Sequence, residues 1–346
     1  MKSTMRAHAS DIVFPHQTPA RLRDYVPTCV FCIDAEEEFD WANPVQGVSH
    51  GLDTFRFLPA LHDVLFPYGV LPTHLVTYPL LMDDASMRIL DQELQLGRCH
   101  VGIQNHPWMT PPFPGETTTH RESFATNLPP DLEREKILTL CRVFKERFGS
   151  NPSIYRSGRY GVSKHTPYIL EHLGFDIDIS LAPRTSMEAE GGPNYIHVPY
   201  ETFWFGVSRK ILELPLCREV IGWGGGIGTA LYSFWSRPGL SGLHVPSILR
   251  GLNLAERVTL SPEGNDAEAA NRLIRGLMKR GQRIFTLSFH SSSLGLGGNP
   301  YVRDGKSLAL FQNRLSAMIE TMRDGHGIRF LPVPELLNNL SPPDKE

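Results

Sequence analysis

The sequence predicts an α/β protein built as a single distorted (β/α)7-type barrel. Strand and helix patterns alternate at least six times along the chain, which is typical of a parallel sheet whose strands are joined by helices. The 346 residues are enough for one barrel domain. Long segments without periodicity mostly follow predicted strands, at 107–130, 182–210, 222–242 and 291–305. In a β/α barrel these loops lie at the C-terminal face, where active sites are built.

The predicted strands are short, mostly apolar or β-branched runs bounded by polar or glycine-containing segments. The clearest are Thr28–Asp34 and Arg283–His290, which run apolar until they reach a polar end. In chain order the others are Pro72–Tyr78, His100–His106, Ile154–Ser157, Phe175–Leu181, Ile211–Leu216, Val258–Ser261 and Ile328–Val333.

The predicted helices show amphipathic periodicity, and the first three end directly before Gly69, Gly97 and Gly149. They are predicted at Leu52–Tyr68, Asp83–Leu96, Asp131–Phe148, Thr166–Leu173, Ala267–Lys279 and Leu308–Arg323, while Val245–Leu254 continues the alternation and Trp223–Trp235 forms a loop leading into a short helix.

Composition limits the classes of function. Residues 1–26 lack periodicity and are predicted to form an irregular N-terminal arm, which leaves 27–346 for the barrel. The formal net charge of −3 gives no general attraction to nucleic acid or to an anionic membrane. No run approaches the ~18 apolar residues of a transmembrane helix, and the N-terminus lacks the apolar core of a secretory signal. We therefore expect a cytoplasmic protein with no transmembrane segment and no nucleic-acid partner.

The five cysteines are scattered and odd in number, which favours a reducing compartment. Cys29 and Cys32 form a C-x-x-C within a predicted buried strand, where alternation directs them to opposite faces. We interpret them as core residues, because free cysteine is among the most buried residue types. A redox or structural zinc role for this pair is the weaker alternative, and replacing both with serine would test it.

An acidic cluster follows the first strand and indicates a functional site. Asp34 and Glu36 stand two apart at the strand end, so in extended backbone both side chains point the same way. Grouped carboxylates are unfavourable unless a cation or a shared proton compensates. For Glu37, Glu38 and Asp40 we favour a solvated loop or a helix-starting role.

Two histidines also end predicted strands. His106 is followed by a proline, which restricts its backbone to the extended region, and imidazole with carboxylate is a ligand set suited to zinc and its neighbours. His290 ends the last long strand, where a histidine can protonate a leaving amine near neutral pH. Arg156 and Arg159, at another strand end, could orient a carboxylate or form surface ion pairs.

The sequence lacks the motifs of several other catalytic mechanisms. The chain contains no G-x-S-x-G nucleophile elbow and no Walker phosphate loop. The glycines at 224–228 lack the preceding strand and following acid of a dinucleotide site. A metal-activated water is then the simplest nucleophile.

Four motifs in order resemble the polysaccharide deacetylases, the nodulation-protein-B homology family or carbohydrate esterase family 4. They are D-A-E after the first strand, N-H-P-W after the third, R-S-G-R-Y-G after the fourth and L-S-F-H-S at the last. The longer segments DAEEEFDW, NHPWMTPPF, NLPPDLER and LSFHSSSL resemble an H-P-W-containing subgroup associated with lipopolysaccharide and other surface polysaccharides. The resemblance extends over residues 28 to 335.

The resemblance implies a distorted β/α barrel, a divalent metal that is most often zinc, and roles for particular residues. Asp34 resembles the catalytic base, and His290 resembles the catalytic acid. Arg156 resembles the arginine that holds the base, with Arg159 as a second candidate.

The implied metal ligands are Glu36, in the place of the metal-binding acid, and His106. The family pattern has a second histidine four residues later, whereas this chain has Thr110 there. His120 is the replacement that we name first, with Glu116, Glu38 or solvent as other possibilities.

The implied reaction is hydrolysis of an N-acyl group, such as acetyl, from an amino sugar in a polysaccharide or glycolipid precursor. Candidate substrate-binding residues on these loops are Trp41, Gln104, Trp108, Arg159 and Tyr160, with Phe113 and Tyr301 as further aromatic residues. One alternative is a deformylase or another non-peptide amide hydrolase of the same fold. Another, motivated by Thr110, is a carbohydrate-binding barrel without catalytic activity.

Overall fold

The computed structural model describes residues 14–39, 41, 51–115, 118–222, 234 and 254–342. The glycine-rich loop and almost all of Val245–Leu254 therefore lie outside the described residues, as does Asp40. The strands are β1 (Thr18–Pro19), β2 (Thr28–Ala35), β3 (Thr73–Val76), β4 (His100–Asn105), β5 (Ile154–Ser157), β6 (Ile177–Asp178), β7 (Phe203–Phe205), β8 (Ile211–Glu213), β9 (Arg218–Ile221), β10 (Glu256–Thr259), β11 (Ile284–His290) and β12 (Arg329–Phe330).

The helices between them are α1 (Leu58–Leu65), α2 (Tyr78–Met82), α3 (Asp84–Gln95), α4 (Pro130–Phe148), α5 (Thr166–Leu173), α6 (Ala267–Lys279), α7 (Gly305–Glu320) and α8 (Val333–Asn339). Among the described residues, no helix is long and apolar enough to cross a bilayer.

Seven strands form a parallel sheet in the order β8-β6-β5-β4-β3-β2-β11. The short β7 and β1 extend one edge in antiparallel fashion, and β12 pairs with the start of β2. Leu260 links the two ends of the ring, since its N–H donates to Cys217 (2.8 Å) and its carbonyl accepts from Ser288 (3.2 Å). The predicted (β/α)7-type barrel is confirmed, although its closure rests on isolated hydrogen bonds.

Most predicted elements are present with small changes at their ends. β5, α5 and α6 have the predicted bounds. The predicted helix Leu52–Tyr68 is α1 flanked by 3-10 turns on both sides. The N-terminal arm is not wholly irregular, because β1 pairs with β7 and Phe14 packs edge-on against Phe203 and Phe205. β7 itself lies inside 182–210, which we predicted to be irregular.

The core has two layers because alternate strand residues point to opposite faces. Inside the barrel, Val30, Cys32 and Leu75 pack with residues of α8 such as Leu336. Outside, the alternate residues, among them Cys29, pack against the helices. Cys29 and Cys32 therefore belong to different layers, and both are free thiols in the core, as predicted.

The inward-facing positions change from apolar to polar as each strand approaches its C-terminal end. On β2 the inward series is Val30, Cys32, Asp34, and it continues with Glu36. Register places Asp34 opposite His290 of β11, and Gln104 of β4 opposite Arg156 of β5. The apolar residues thus fill one end of the barrel, and the polar ones meet at the other.

Candidate active site

A cavity of about 330 Å³ opens at the C-terminal ends of the strands. Its lining combines charged residues at the base with aromatic residues on the walls. They include Asp34, Glu36, Trp41, Gln104, His106, Trp108, Arg156, Arg159, Tyr160, Arg218, Glu263, His290 and Tyr301. All of the predicted catalytic and substrate-binding residues except Phe113 line this cavity, together with Glu36 and His106.

Asp34 lies at the base of the cavity between Arg156, which is always charged, and His290, whose charge depends on pH. Its Oδ1 accepts a hydrogen bond from Nη1 of Arg156, which is fully buried. Nε of Arg156 donates to the Ile179 carbonyl (3.0 Å), and this contact fixes the guanidinium plane. The other carboxylate oxygen, Oδ2, lies 3.6 Å from Nε2 of His290. Asp34 is therefore oriented with one oxygen engaged and one facing the histidine.

His290 is anchored from behind by Glu263, which follows β10. Nδ1 of His290 lies 2.7 Å from Oε2 of Glu263, and the His290 backbone N–H donates to Oε1 (3.0 Å). Ser293 also donates to Oε1 (2.5 Å). Burial alone would lower the pKa of His290, but Glu263, Glu36 and Asp34 together raise it to about 10. Nε2 is thus directed toward Asp34, and the ring is kept in its protonated form.

Glu36 and His106 meet beside Asp34. His106 Nε2 lies 3.3 Å from Oε2 of Glu36, and Gln104 donates to the same oxygen (3.3 Å). The other oxygen of Glu36, Oε1, is buried and has no hydrogen-bond partner among the described residues. Burial raises the pKa of Glu36 despite the nearby histidines. This carboxylate is therefore placed where an additional cation would stabilise its charge.

Glu37 is not in a solvated loop, so our sequence interpretation of this residue was wrong. It is fully buried, its Oε1 lies 2.6 Å from Nδ1 of His106, and its Oε2 accepts from Thr77 (2.8 Å). Burial raises the pKa of Glu37, but its contacts with His106 and Thr77 outweigh this and lower it. For His106 the effects have the opposite sign: burial lowers its pKa, but Glu37 and Glu36 raise it to about 9.

Glu38 has a different role, since its side chain accepts a hydrogen bond from the Thr54 N–H (2.6 Å).

The ring of His106 is also fixed in orientation. Trp108 stacks on it with ring centres 4.2 Å apart and an angle of 18° between the planes. Gly158 leaves room on another side, since a Cβ at this position would lie 2.5 Å from Cδ2 of His106. The adjacent Arg159 and Tyr160 adopt left-handed backbone with φ of 52° and 56°, which is strained for non-glycine residues.

Aromatic rings form one wall of the cavity above His290. Trp41 packs edge-on against His290 (4.6 Å between centres) and against Tyr301 (5.6 Å). The indole N–H groups of Trp41 and Trp108 are buried and have no hydrogen-bond acceptor among the described residues. Such a wall presents flat apolar surface, which suits a ring-shaped molecule. Phe113, by contrast, is exposed beside Lys136.

His120 lies apart from this arrangement. It is exposed and absent from the cavity lining, and its Nε2 lies 3.5 Å from Nη1 of Arg159. Arg159 forms an ion pair with Glu190 and lies over the Phe124 ring (4.0 Å). Thr110 is fully buried, and its hydroxyl has no partner among the described residues.

The charge and donor set of the base fit a divalent metal ion. Four buried carboxylates, from Asp34, Glu36, Glu37 and Glu263, gather at the base of the cavity, where Asp34 pairs with the buried guanidinium of Arg156. One ligand atom each of Asp34, Glu36 and His290 lies within 4.8 Å of the others. His106 adds Nε2, while its Nδ1 is held by Glu37, as is usual for a metal-binding histidine. The unpartnered Oε1 of Glu36 completes a set of oxygen and nitrogen donors suited to zinc or a neighbouring metal.

Two supporting residues escaped the sequence analysis. Glu263 follows a predicted strand within S-P-E-G, and this carboxylate after a strand was the signal that could have indicated it. Glu37 was named only for a solvated or helix-starting role, because the strand ends at Ala35 and the direction of a side chain beyond it does not follow from the pattern.

Comparison with known proteins confirms the fold. No family model and no curated protein matches the chain by sequence. A structure assigned as a polysaccharide deacetylase from Mycobacterium smegmatis covers 96% of this chain and 98% of its own, with a TM-score of 0.51 and 17% identity. One from Pseudomonas aeruginosa PAO1 covers 90% of each chain, with a TM-score of 0.51 and 12% identity. An allantoinase structure covers 90% and 89%, with a TM-score of 0.52 and 11% identity.

At these identities the comparisons establish a shared fold. The barrel expected from the motif resemblance is therefore shared with the structures assigned as polysaccharide deacetylases and with the allantoinase. Membership of the H-P-W subgroup stays a prediction.

Proposed function

We propose that this protein is a divalent-metal-dependent hydrolase that removes an N-acyl group from an amino sugar of a polysaccharide or glycolipid precursor. The position of Asp34 carries the proposal. Asp34 lies between Arg156 and His290, and His290 is anchored by Glu263. Glu36 and His106 lie directly beside it. A base, an acid and a metal-type donor set thus share one cavity. The deacetylase fold of the structural neighbours is consistent with this chemistry.

Glu36 and His106 would hold the metal, with Asp34 as a further neighbouring donor. When bound, a divalent metal supplies Lewis acidity, which polarises an amide carbonyl and lowers the pKa of water. Glu37 keeps Nε2 of His106 directed into the site by holding Nδ1. His120 is not part of the proposed set, because it is exposed and faces Arg159.

The proton transfers follow from the positions of Asp34 and His290. Asp34 accepts a proton from the attacking water through the oxygen that Arg156 leaves free. His290 donates its Nε2 proton to the departing sugar nitrogen as the C–N bond breaks, and Glu263 stabilises its positive charge before the transfer. The products are a carboxylic acid and a free amine. Trp41 and Trp108 would contact the sugar ring.

Metal content tests the ligand assignment. Purified wild type should contain zinc or a related ion, and His106→Ala should lose about one equivalent relative to it. His120→Ala is the matched control, because it also removes a histidine of the same loop region but lies outside the cavity. If His106→Ala retains the wild-type content, His106 is not a ligand.

Activity tests the reaction. Release of acetate or formate from N-acetylated and N-formylated amino sugars should depend on added metal. His290→Ala should keep its metal and lose turnover by about 10²-fold or more, as expected for loss of a general acid. Tight sugar binding by metal-free protein without hydrolysis would instead support the non-catalytic binding barrel.

A small cyclic amide is a second candidate substrate. It is favoured by the size of the cavity, since about 330 Å³ lies near the lower end of small-molecule sites. Including cyclic ureides in the same screen separates the two substrates, since only one class should be hydrolysed efficiently.

A further inference from the structure

A second cluster of metal-binding side chains lies outside the barrel, away from the cavity. His62 on α1, His74 on β3 and Cys99 directly before β4 each place one ligand atom within 4.8 Å of the other two. Their exposed fractions are 1%, 0% and 5%. His74 points outward from the sheet, because its neighbour Leu75 faces the barrel interior. The cluster is therefore enclosed between the sheet and the helices that cover it.

We propose that His62, His74 and Cys99 bind a second metal ion, zinc, with a structural role. Two imidazoles and a thiolate form a borderline-to-soft donor set, which zinc prefers over magnesium or calcium. None of the three lines the cavity of the candidate active site. The ion would thus join α1, β3 and β4 without meeting substrate.

The orientation of His62 matches that of a metal-binding histidine. Its Nδ1 lies 2.7 Å from Oε2 of Glu93, a residue of α3 that is 4% exposed. A carboxylate on Nδ1 fixes the tautomer and leaves Nε2 as a lone-pair donor. Arg98 lies 3.6 Å from the same carboxylate and offsets part of its charge. Glu93 would therefore support the site through His62.

The two imidazole nitrogens already face each other. Nε2 of His62 and Nε2 of His74 lie 2.9 Å apart. Zinc with bonds of about 2.0–2.1 Å to nitrogen holds two such atoms about 3.3 Å apart in tetrahedral geometry. The rings would need to separate by a few tenths of an ångström, which side-chain rotation can provide.

In the metal-free cluster, the two Nε2 atoms of His62 and His74 share one proton, and Nδ1 of His74 is buried without a partner among the described residues. A metal ion bound to both Nε2 atoms would take the place of that shared proton, and the proton of His74 would then lie on Nδ1. Burial also lowers the pKa of both histidines and keeps them neutral, the form that binds metals. The Cys99 thiol, whose pKa burial raises to about 12, would have to release its proton on binding.

Sulfur distinguishes this site from the candidate active site. The donors proposed there are carboxylate oxygens and imidazole nitrogens, whereas Cys99 would give a Zn–S distance of about 2.3 Å. X-ray absorption on the zinc-loaded wild-type protein should therefore show a sulfur scatterer. Cys99→Ser should remove it, while Cys32→Ser, which changes a buried cysteine next to Asp34, should not.

Metal content gives an independent test. Wild type should hold about two equivalents of zinc, and His106→Ala and Cys99→Ser should each hold about one. Should Cys99→Ser fail to fold, cobalt substitution of the wild type still reports on the site through its thiolate charge-transfer band. The proposal is overturned if no sulfur is bound to metal in the wild type, or if Cys99→Ser leaves the sulfur signal unchanged. If His106→Ala loses metal and Cys99→Ser does not, the proposal of a catalytic metal site stands and the proposal of this second site is wrong.

Discussion

At the scale of single residues, the site consists of reactive groups and the groups that position them. Asp34, Glu36, His106 and His290 face the cavity, and each is held by a second side chain or a main-chain contact. Glu263 is the clearest positioning residue, because it accepts from His290 at both the ring and the backbone. Its charge, rather than its shape, determines how strongly His290 holds a proton.

Glu263→Gln should therefore lower the pKa of His290 while keeping an oxygen that accepts from Nδ1. A histidine acting as acid works only below its pKa, so the alkaline limb of the kcat profile should move to lower pH. Glu263 acts on the ring nitrogen that faces away from Asp34, so a bound metal leaves this direction unchanged. Steady-state rates from pH 6 to 10 provide the measurement, with metal content as the control. An unshifted limb would remove Glu263 from this role.

At the scale of elements, α4 supports the cavity from outside through two buried charged residues. Lys136 donates to the carbonyls of Pro107, Thr110 and Pro112 (2.8, 2.5 and 2.8 Å) and thereby holds the loop that carries Trp108. Glu133 accepts from Ser163 (2.6 Å) and from Thr166, at the start of α5.

Lys136→Met should leave three loop carbonyls without their donor while keeping much of the side-chain volume. We expect a free energy of unfolding lower by about 1–3 kcal/mol and a raised KM, because Trp108 loses its support. Urea denaturation and steady-state kinetics would measure the two effects. Lys145→Met, at the far end of the same helix, is the control, and equal effects from both variants would contradict the role of Lys136.

Glu133→Gln should stabilise the protein at neutral and alkaline pH. Burial raises the pKa of Glu133 from 4.5 to about 7, so its charged form is disfavoured in the folded state. Wild-type stability attributable to this group is complete below pH 4.5 and is lost as the pH rises through 7. The advantage of glutamine should thus grow across this window, to at most about 3 kcal/mol. Denaturation midpoints at pH 4.5, 6 and 8 check this, and a pH-independent difference would contradict it.

The sequence predicted the site residues only as far as the alternation of side chains along the strands extends. Asp34 and His290 were identified because they end apolar strands, and parallel strands bring such ends together. Glu37 could not be placed, because its direction depends on where the backbone leaves the strand. β7 was missed because three residues carry too little pattern. α8 was missed because we predicted a strand over Ile328–Val333, which overlaps the start of this helix, although proline in the first turn, as at Pro334, is typical of a helix start.

At the scale of the whole molecule, the two ends of the barrel have separate roles. α8 closes one end with Val333 and Leu336, both fully buried, and the cavity occupies the other. One end of the barrel thus maintains the fold, and the other end carries the proposed chemistry.

Leu336→Ala should lower the free energy of unfolding by about 2–5 kcal/mol, as expected for a buried leucine. Metal content and turnover of the folded protein should stay at wild-type values, because the substitution lies at the end remote from His106 and His290. Chemical denaturation and kinetics on the same preparation measure both. A large loss of turnover at full occupancy of the folded state would contradict this separation of roles.

The carboxylate-rich base of the cavity also has an evolutionary consequence. Glu36 is buried with an unsatisfied oxygen, so without a cation its charge works against folding. Mutations that neutralise this carboxylate should be tolerated by the barrel and should even increase its stability. Only selection for turnover opposes them. A lineage released from that selection would drift toward robust, inert descendants of the same architecture, with Glu36 among the first residues to disappear.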